Sequence, residues 1–258
     1  MSVHAGTSDT VRADIRRWLR APLGLHALPA LRTLLAVVLL AVPACADLGS
    51  EPVARTPDSP SRAQLEHLLA SVRVVAVRGH PGGYERGCQE GRGCVFGPSW
   101  TDDYDGPGGR DGCDTRNDVL SRQLTGVSFR PGTNDCVVTA GTLDDPYTGN
   151  RITFTKADAG DIQIDHVYPL AAAWDMGAVY WPRERRVRFA NDIDANLLAT
   201  AANTNQAKGD STPSAWLPPA RANHCFYAGR YLTVAVQYDL PVTAADSAVL
   251  NDIARTCP

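Results

Sequence analysis

Six cysteines, at positions 88, 94, 113, 136, 225 and 257, follow a leader that reads as an export signal. Together these two features restrict the fold more than any others. An even number of cysteines in an exported chain points to an oxidised framework of three bridges. A zinc knuckle would need Cys-x-x-Cys pairs, and the sequence has none. Six cysteines admit many pairings; the nearest-neighbour scheme is the expectation, namely Cys88–Cys94, Cys113–Cys136 and Cys225–Cys257.

The leader has three parts. Residues 1–32 carry five arginines against Asp9 and Asp14, the stretch from Thr33 to Val42 is apolar, and Pro43, Ala44 and Cys45 follow. A basic stretch, a short apolar run and a small-residue site make a secretory signal over residues 1–45. The apolar run is about half the length that a spanning helix needs. Val42-Pro43-Ala44-Cys45 admits two readings. One is a lipobox that makes Cys45 the lipidated first residue of a cell-surface lipoprotein; the other is ordinary cleavage near Ala44 or Ala46, giving a secreted protein.

Composition narrows the partners. With 44% hydrophobic residues over 258 positions the chain is not disordered throughout, and it has ample material for a core. The formal charge is −3, and loss of residues 1–44 removes five arginines and two aspartates to leave about −6. Bulk electrostatics therefore cannot hold a polyanion, which must be met by a local basic patch or a metal.

Along the chain, residues 46–61 are rich in Pro, Ser and Asp and read as a linker. Leu65, Leu68, Leu69 and Val72 follow helical spacing and predict a helix from Ser61 to about Ala70. Gly and Pro punctuate residues 79–112, which predicts an irregular region stapled by Cys88–Cys94. A short helix is expected over residues 114–124. Strands are expected over 136–140 and 151–155, joined by the turn residues 144–149 into a hairpin. Ile162–Val167 alternates and reads as a further strand. Helices are expected over 170–176, 184–190, 225–238 and 244–255, with a short strand at Asn196–Leu198 and a helix opening at Thr204–Lys208. One α+β domain over residues 62–258 is the economical architecture.

Three segments carry chemistry in combination: Asp165-His166 on a strand, Asn196 before Leu197-Leu198, and Asn205-Gln206-Ala207-Lys208 opening a helix. Singly each is bland, since Asn near Lys-Gly usually ends a helix and an Asp-His pair is usually a surface pair. Their order gives a strand–strand–helix layout. A carboxylate and a carboxamide are hard oxygen ligands suited to Mg²⁺, Mn²⁺ or Ca²⁺ and inadequate as a zinc cage. Neighbouring strand residues point to opposite faces, so one of Asp165 and His166 can hold a metal while the other works from a neighbouring direction. A neutral imidazole there can deprotonate water for attack on a metal-polarised phosphodiester.

These motifs resemble those of the HNH, or His-Me finger, nucleases. More narrowly, residues from about 65 to 258 resemble exported bacterial HNH proteins of the DUF1524, GmrSD C-terminal-like, type. The likeness also takes in Tyr84-Glu85-Arg86, Trp100 to Asp103, Gly112 to Leu120, Arg130 to Asn134 and Trp216 to Pro219. It implies a ββα-metal core with helical insertions and a disulfide-stapled N-terminal region. In that resemblance Asp165 is a metal ligand, His166 the general base and Asn196 the Asn that supports the turn and orients the base. Asn205 is the second metal ligand, and Lys208 sits near the phosphate. The span between His166 and Asn196 is long for a minimal core and implies a helical insertion, with Asn191 as the rival to Asn196.

Other residues have competing readings. Arg116 can contact phosphate, or form a salt bridge at a helix start. Arg183, Arg185, Arg186 and Arg188 can form a phosphate-binding face, with Arg186 the chosen substrate contact, or an ordinary solvated face. The scattered tryptophans read as packing rather than as base-stacking platforms.

The functional expectation is an exported, Mg²⁺-dependent endonuclease acting on DNA with little sequence specificity, since no groove-reading helix or zinc finger is evident. The alternatives are an RNA-directed nuclease and a non-catalytic HNH-fold binding protein at the cell envelope. No protein partner is implied. A zinc peptidase and an α/β-hydrolase are excluded by the lack of His-Glu-x-x-His and Gly-x-Ser-x-Gly.

Overall fold

The computed structural model describes residues 58–258; the export signal, Cys45 and most of the expected linker lie outside the described residues. Helix α1, Arg62–Ser71, begins in a capping box: Ser61 accepts from the Gln64 backbone while the Gln64 side chain accepts from the Ser61 N–H. Strand β1, Val74–Val75, comes next. The hairpin β2, Cys88–Gln89, and β3, Arg92–Gly93, is closed by the Cys88–Cys94 disulfide. Helix α2, Thr115–Gln123, is capped by Asp114.

Strands β4, Thr125–Phe129, β5, Val138–Asp144, and β6, Arg151–Thr155, form an antiparallel sheet in that order. Strand β4 is not legible in the sequence, where Gly126 interrupts a short Thr-Gly-Val-Ser-Phe run. Strand β5 starts two residues later than expected and runs further. The Cys136 N–H is taken by the Thr133 carbonyl in a turn, and Cys136 is bonded to Cys113. The hairpin turn therefore falls at Asp145–Asn150.

The next part of the chain builds the site: β7, Ile162–His166; α3, Leu170–Asp175; a 3-10 turn, Ala178–Tyr180; α4, Arg183–Ala190; β8, Leu197–Ala201; and α5, Ala202–Lys208. Strands β7 and β8 pair antiparallel, with Asp165 opposite Leu198 and His166 opposite Leu197. The 3-10 turn, α3 and α4 are the helical insertion between them. Helix α6, His224–Gln237, strand β9, Val242–Thr243, and helix α7, Ala244–Ala254, complete the chain. Strand β9 returns to pair in parallel with β1, and Cys225–Cys257 ties α6 to the C-terminus.

The β7–β8 hairpin stands between two apolar clusters. Ile162, Ile164, Leu197 and Ala199 pack with Val119, Leu120, Val138 and Phe154 of α2 and the three-stranded sheet. Leu198 packs on the other side, with the aromatic cluster of Tyr147, Tyr168, Phe189, Tyr227 and Tyr231. A hairpin covered on both faces buries nearly every side chain, and β8 is buried from Leu197 to Thr200. Polar groups on β7 that face away from the first cluster must find partners in α5 and its surroundings.

Candidate active site

Asp165 and His166 end β7 and, as strand geometry requires, go in different directions. The carboxylate of Asp165 is 5% exposed. Its Oδ2 accepts from the Tyr147 hydroxyl at 2.5 Å and its Oδ1 from Lys208 Nζ at 3.0 Å. Lys208 also donates to the His166 carbonyl at 2.9 Å and is wholly buried. An ammonium buried without a counter-charge is costly; the ion pair and the carbonyl together compensate it.

His166 donates from Nε2 to the Ala190 carbonyl, at 2.9 Å. A carbonyl can only accept, so the proton sits on Nε2 and Nδ1 keeps a lone pair. Ala190 closes α4, where the last carbonyls of a helix lack partners within it. The inserted helix thus supplies the acceptor that sets the tautomer. Trp100 lies nearly parallel to the imidazole, 8° between planes and 5.7 Å between centroids. Its backbone is left-handed, with φ of 57°, an uncommon conformation for a bulky residue. Burial lowers the His166 pKa to about 4, against an upward pull from the Ala190 hydrogen bond and with a further downward push from Arg86. The ring is neutral at neutral pH.

Asn196 is fully buried and fastens the frame around this histidine. Its Oδ1 accepts from the Tyr168 N–H at 2.8 Å, and its Nδ2 donates to the carbonyls of Tyr168 at 3.3 Å and Phe189 at 3.5 Å. It therefore links the exit of β7 to the end of α4. The rival Asn191 only caps that helix, donating from Nδ2 to Val187 O.

Asn205, on α5, donates from Nδ2 to Gln163 Oε1 at 2.8 Å. Its amide oxygen has no protein partner among the described residues. Asp165, His166 and Asn205 line one open groove of about 580 Å³, together with Tyr84, Arg86 and Asp210.

Three expected contacts fall elsewhere. Lys208 is directed into the interior, onto Asp165, rather than out to the groove. Arg116 donates from Nη2 to the carbonyls of Ala159 and Ile162, both at 2.8 Å, and so ties α2 to the entry of β7. Arg186 donates from Nε to Val95 O at 2.6 Å and from Nη1 to Trp181 O, and its plane faces Trp174. Both arginines satisfy backbone carbonyls and neither lines the groove. A cleft of about 630 Å³ on another part of the surface is lined by Arg183, Arg185 and Arg188 with Asp103, Asp105 and Glu184. It mixes the charges and contains no histidine.

The sequence reading missed Tyr147 and Gln163. Tyr147 lies in a stretch recognised only as a turn, although Tyr is a frequent buried hydroxyl donor. The strand period places Gln163 on the same face as Asp165, and that signal was available. A separate cluster brings ligand atoms of Asp111, Cys113 and Asp118 within 4.8 Å of one another. Cys113 is held in the disulfide with Cys136, which leaves two carboxylates.

Fold and site together define a mixed α/β protein with three disulfides and a histidine–carboxylate groove. The model of the GmrSD restriction endonucleases' C-terminal domain matches residues 114–253, and the chain belongs to that family, a nuclease family. A relative from the fungus Arthroderma benhamiae, described as an uncharacterized secreted protein, is 36% identical over 228 residues, covering 88% of this chain and 98% of its own. Secretion of that relative and the three disulfides are consistent with export. The relative is fungal, so the bacterial origin implied by the sequence resemblance is not carried by it. No solved structure matches the chain significantly.

Proposed function

We propose that this chain is an exported endonuclease that hydrolyses phosphodiester bonds in DNA with little sequence specificity, through an HNH-type site. The observation that carries the reading is the fixed imidazole of His166, neutral and with its Nε2 committed to Ala190, beside Asp165 and Asn205 in one groove. The order β7, β8, α5, with Asp165-His166 on β7, Asn196 just before β8 and Asn205 on α5, supports a ββα-metal core. In this reading the nuclease domain spans residues 62–258, behind a linker and an export signal.

Asp165 and Asn205 are the residues that would hold a divalent cation, Mg²⁺ first, with Mn²⁺ or Ca²⁺ as alternatives. The donor set fits. Both residues line the groove, the Asn205 amide oxygen is not used by the protein, and each carboxylate oxygen of Asp165 has a second lone pair beyond its hydrogen bond. Magnesium commonly takes one or two protein oxygens and keeps waters for the rest. When bound, such a cation polarises the phosphate and stabilises the leaving oxygen.

The chain's own residues do the rest. His166 takes the proton of the attacking water, and the Nε2 bond holds its ring in the accepting tautomer. Asn196 positions His166 by tying the backbone of Tyr168, just beyond it, to the Phe189 carbonyl beside its acceptor Ala190, and Lys208 positions Asp165. The test is nicking of circular plasmid DNA by the purified, oxidised protein with Mg²⁺, Mn²⁺ or Ca²⁺ and with EDTA. Metal-dependent nicking is expected. Cleavage of RNA alone would move the substrate class, and folded protein inert on both would leave the non-catalytic binding reading.

A further inference from the structure

Charges lining the groove can be paired off one by one. Asp165 is matched by Lys208 at 3.0 Å, and Asp210 by Arg78 at 3.0 Å. His166 is neutral. Arg86 is the cation left over: among the described residues no carboxylate lies within ion-pair distance of it, and one of its nitrogens, Nη1, donates to Gly97 O at 3.1 Å. A half-buried guanidinium without a counter-charge is an unfavourable arrangement unless an anion from outside completes it.

Its mounting is rigid. The Cys94 N–H donates to Gly87 O at 2.8 Å and the Val95 N–H to Glu85 O at 3.2 Å, and the Cys88–Cys94 disulfide closes the loop just beyond Arg86. Gly97, which supplies the acceptor carbonyl, has φ of 78°, and a Cβ there would lie 2.7 Å from Val187 Cγ2. The anchor thus sits directly against α4, the helix that also carries the acceptor of His166.

We propose that Arg86 binds the scissile phosphate, its remaining N–H groups taking the non-bridging oxygens beside His166. This deepens the nuclease reading and rests on it for the identity of the phosphate. A guanidinium presents parallel donors that match a phosphate edge, which an ammonium cannot do. Burial lowers the Arg86 pKa and only the Tyr84 phenol opposes that shift, in keeping with a site that lacks its anion. Arg86 lies outside residues 114–253, the part matched by the family model, and its role is argued from the contacts above.

The experiment uses the full chain and separates binding from cleavage. Thermal shift by inorganic phosphate in EDTA is measured for wild type, Arg86→Ala, Arg86→Lys and His166→Ala, beside plasmid nicking with Mg²⁺. Wild type and His166→Ala are expected to be stabilised by phosphate, and Arg86→Ala not. Arg86→Ala is expected to lose about 10²-fold in nicking rate, with partial recovery on addition of free guanidinium. Arg86→Lys is expected to lie between them, and decides the matter should Arg86→Ala fail to fold. Wild-type phosphate response and nicking in both Arg86 variants would overturn the proposal. Phosphate binding that depends on Arg86 in a wild-type protein that cleaves nothing would uphold the anion site and sink the nuclease reading instead.

Discussion

Lys208 donates from Nζ to Asp165 Oδ1 at 3.0 Å with both side chains out of solvent, so the carboxylate next to His166 is held by a buried ion pair. A polar pair on the helix-facing side of β7 is what a hairpin covered on both faces requires. The pair also gives Lys208 a different position from the one the sequence resemblance implies.

Lys208→Met is expected to lower unfolding stability by about 3–5 kcal/mol, because it leaves a buried carboxylate with only the Tyr147 hydroxyl. Urea denaturation measures this. Pairing it with Asp165→Asn removes the stranded charge and is expected to restore part of that stability without restoring cleavage. A single variant as stable as wild type would show that the pair does not form in solution.

Asn196→Ala removes the acceptor of the buried Tyr168 N–H, and the staple to Phe189 with it. Loss of about 1–3 kcal/mol is expected from the unsatisfied donor. Misplacement of His166 is expected to slow turnover about 10²-fold at saturating DNA. Steady-state kinetics should show the loss in kcat rather than in KM.

Much of the site was legible because its residues are ordered in the sequence as they are along β7, β8 and α5. Strand and helix period put Asp165 and His166 on β7 and Asn205 on α5, while Asn196, expected in a strand, precedes β8; their expected roles came from the family resemblance. What escaped were partners supplied from a distance: Tyr147 from the β5–β6 turn, Trp100 from a glycine-rich loop and the Ala190 carbonyl from the inserted helix. Nothing local marks such contacts. Arg116 and Arg186, expected as substrate contacts, do not line the groove, for a related reason. Sequence shows that a guanidinium is present, and only the fold shows which carbonyls already use it. Strand β4 was missed because pairing with β5, not propensity, makes it a strand.

Asp118 gives the fold a pH dependence. Burial, with Asp111 and Asp114 close by, raises its carboxyl from 3.8 to about 7, and Oδ2 has no hydrogen-bond partner among the described residues. The folded protein therefore keeps a proton that the unfolded chain releases. Its contribution is full below about pH 4 and is lost as pH rises through about 7. Asp118→Asn is expected to flatten that part of the slope, read as urea midpoints between pH 5 and pH 8. An unchanged slope would contradict the assignment.

Cys225 and Cys257 close a span of 32 residues between α6 and the C-terminus. Cys225→Ser with Cys257→Ser is expected to lower stability by about 2–4 kcal/mol. Under reducing conditions wild type and the double variant should then differ little, as urea titrations with and without reductant would show.

Single-turnover cleavage of plasmid DNA by His166→Ala, beside wild type and with folding verified by circular dichroism, tests the central claim most directly. The fixed, neutral imidazole predicts a rate at least about 10²-fold lower in the variant, at unchanged secondary structure. Cleavage by folded His166→Ala at the wild-type rate would contradict it.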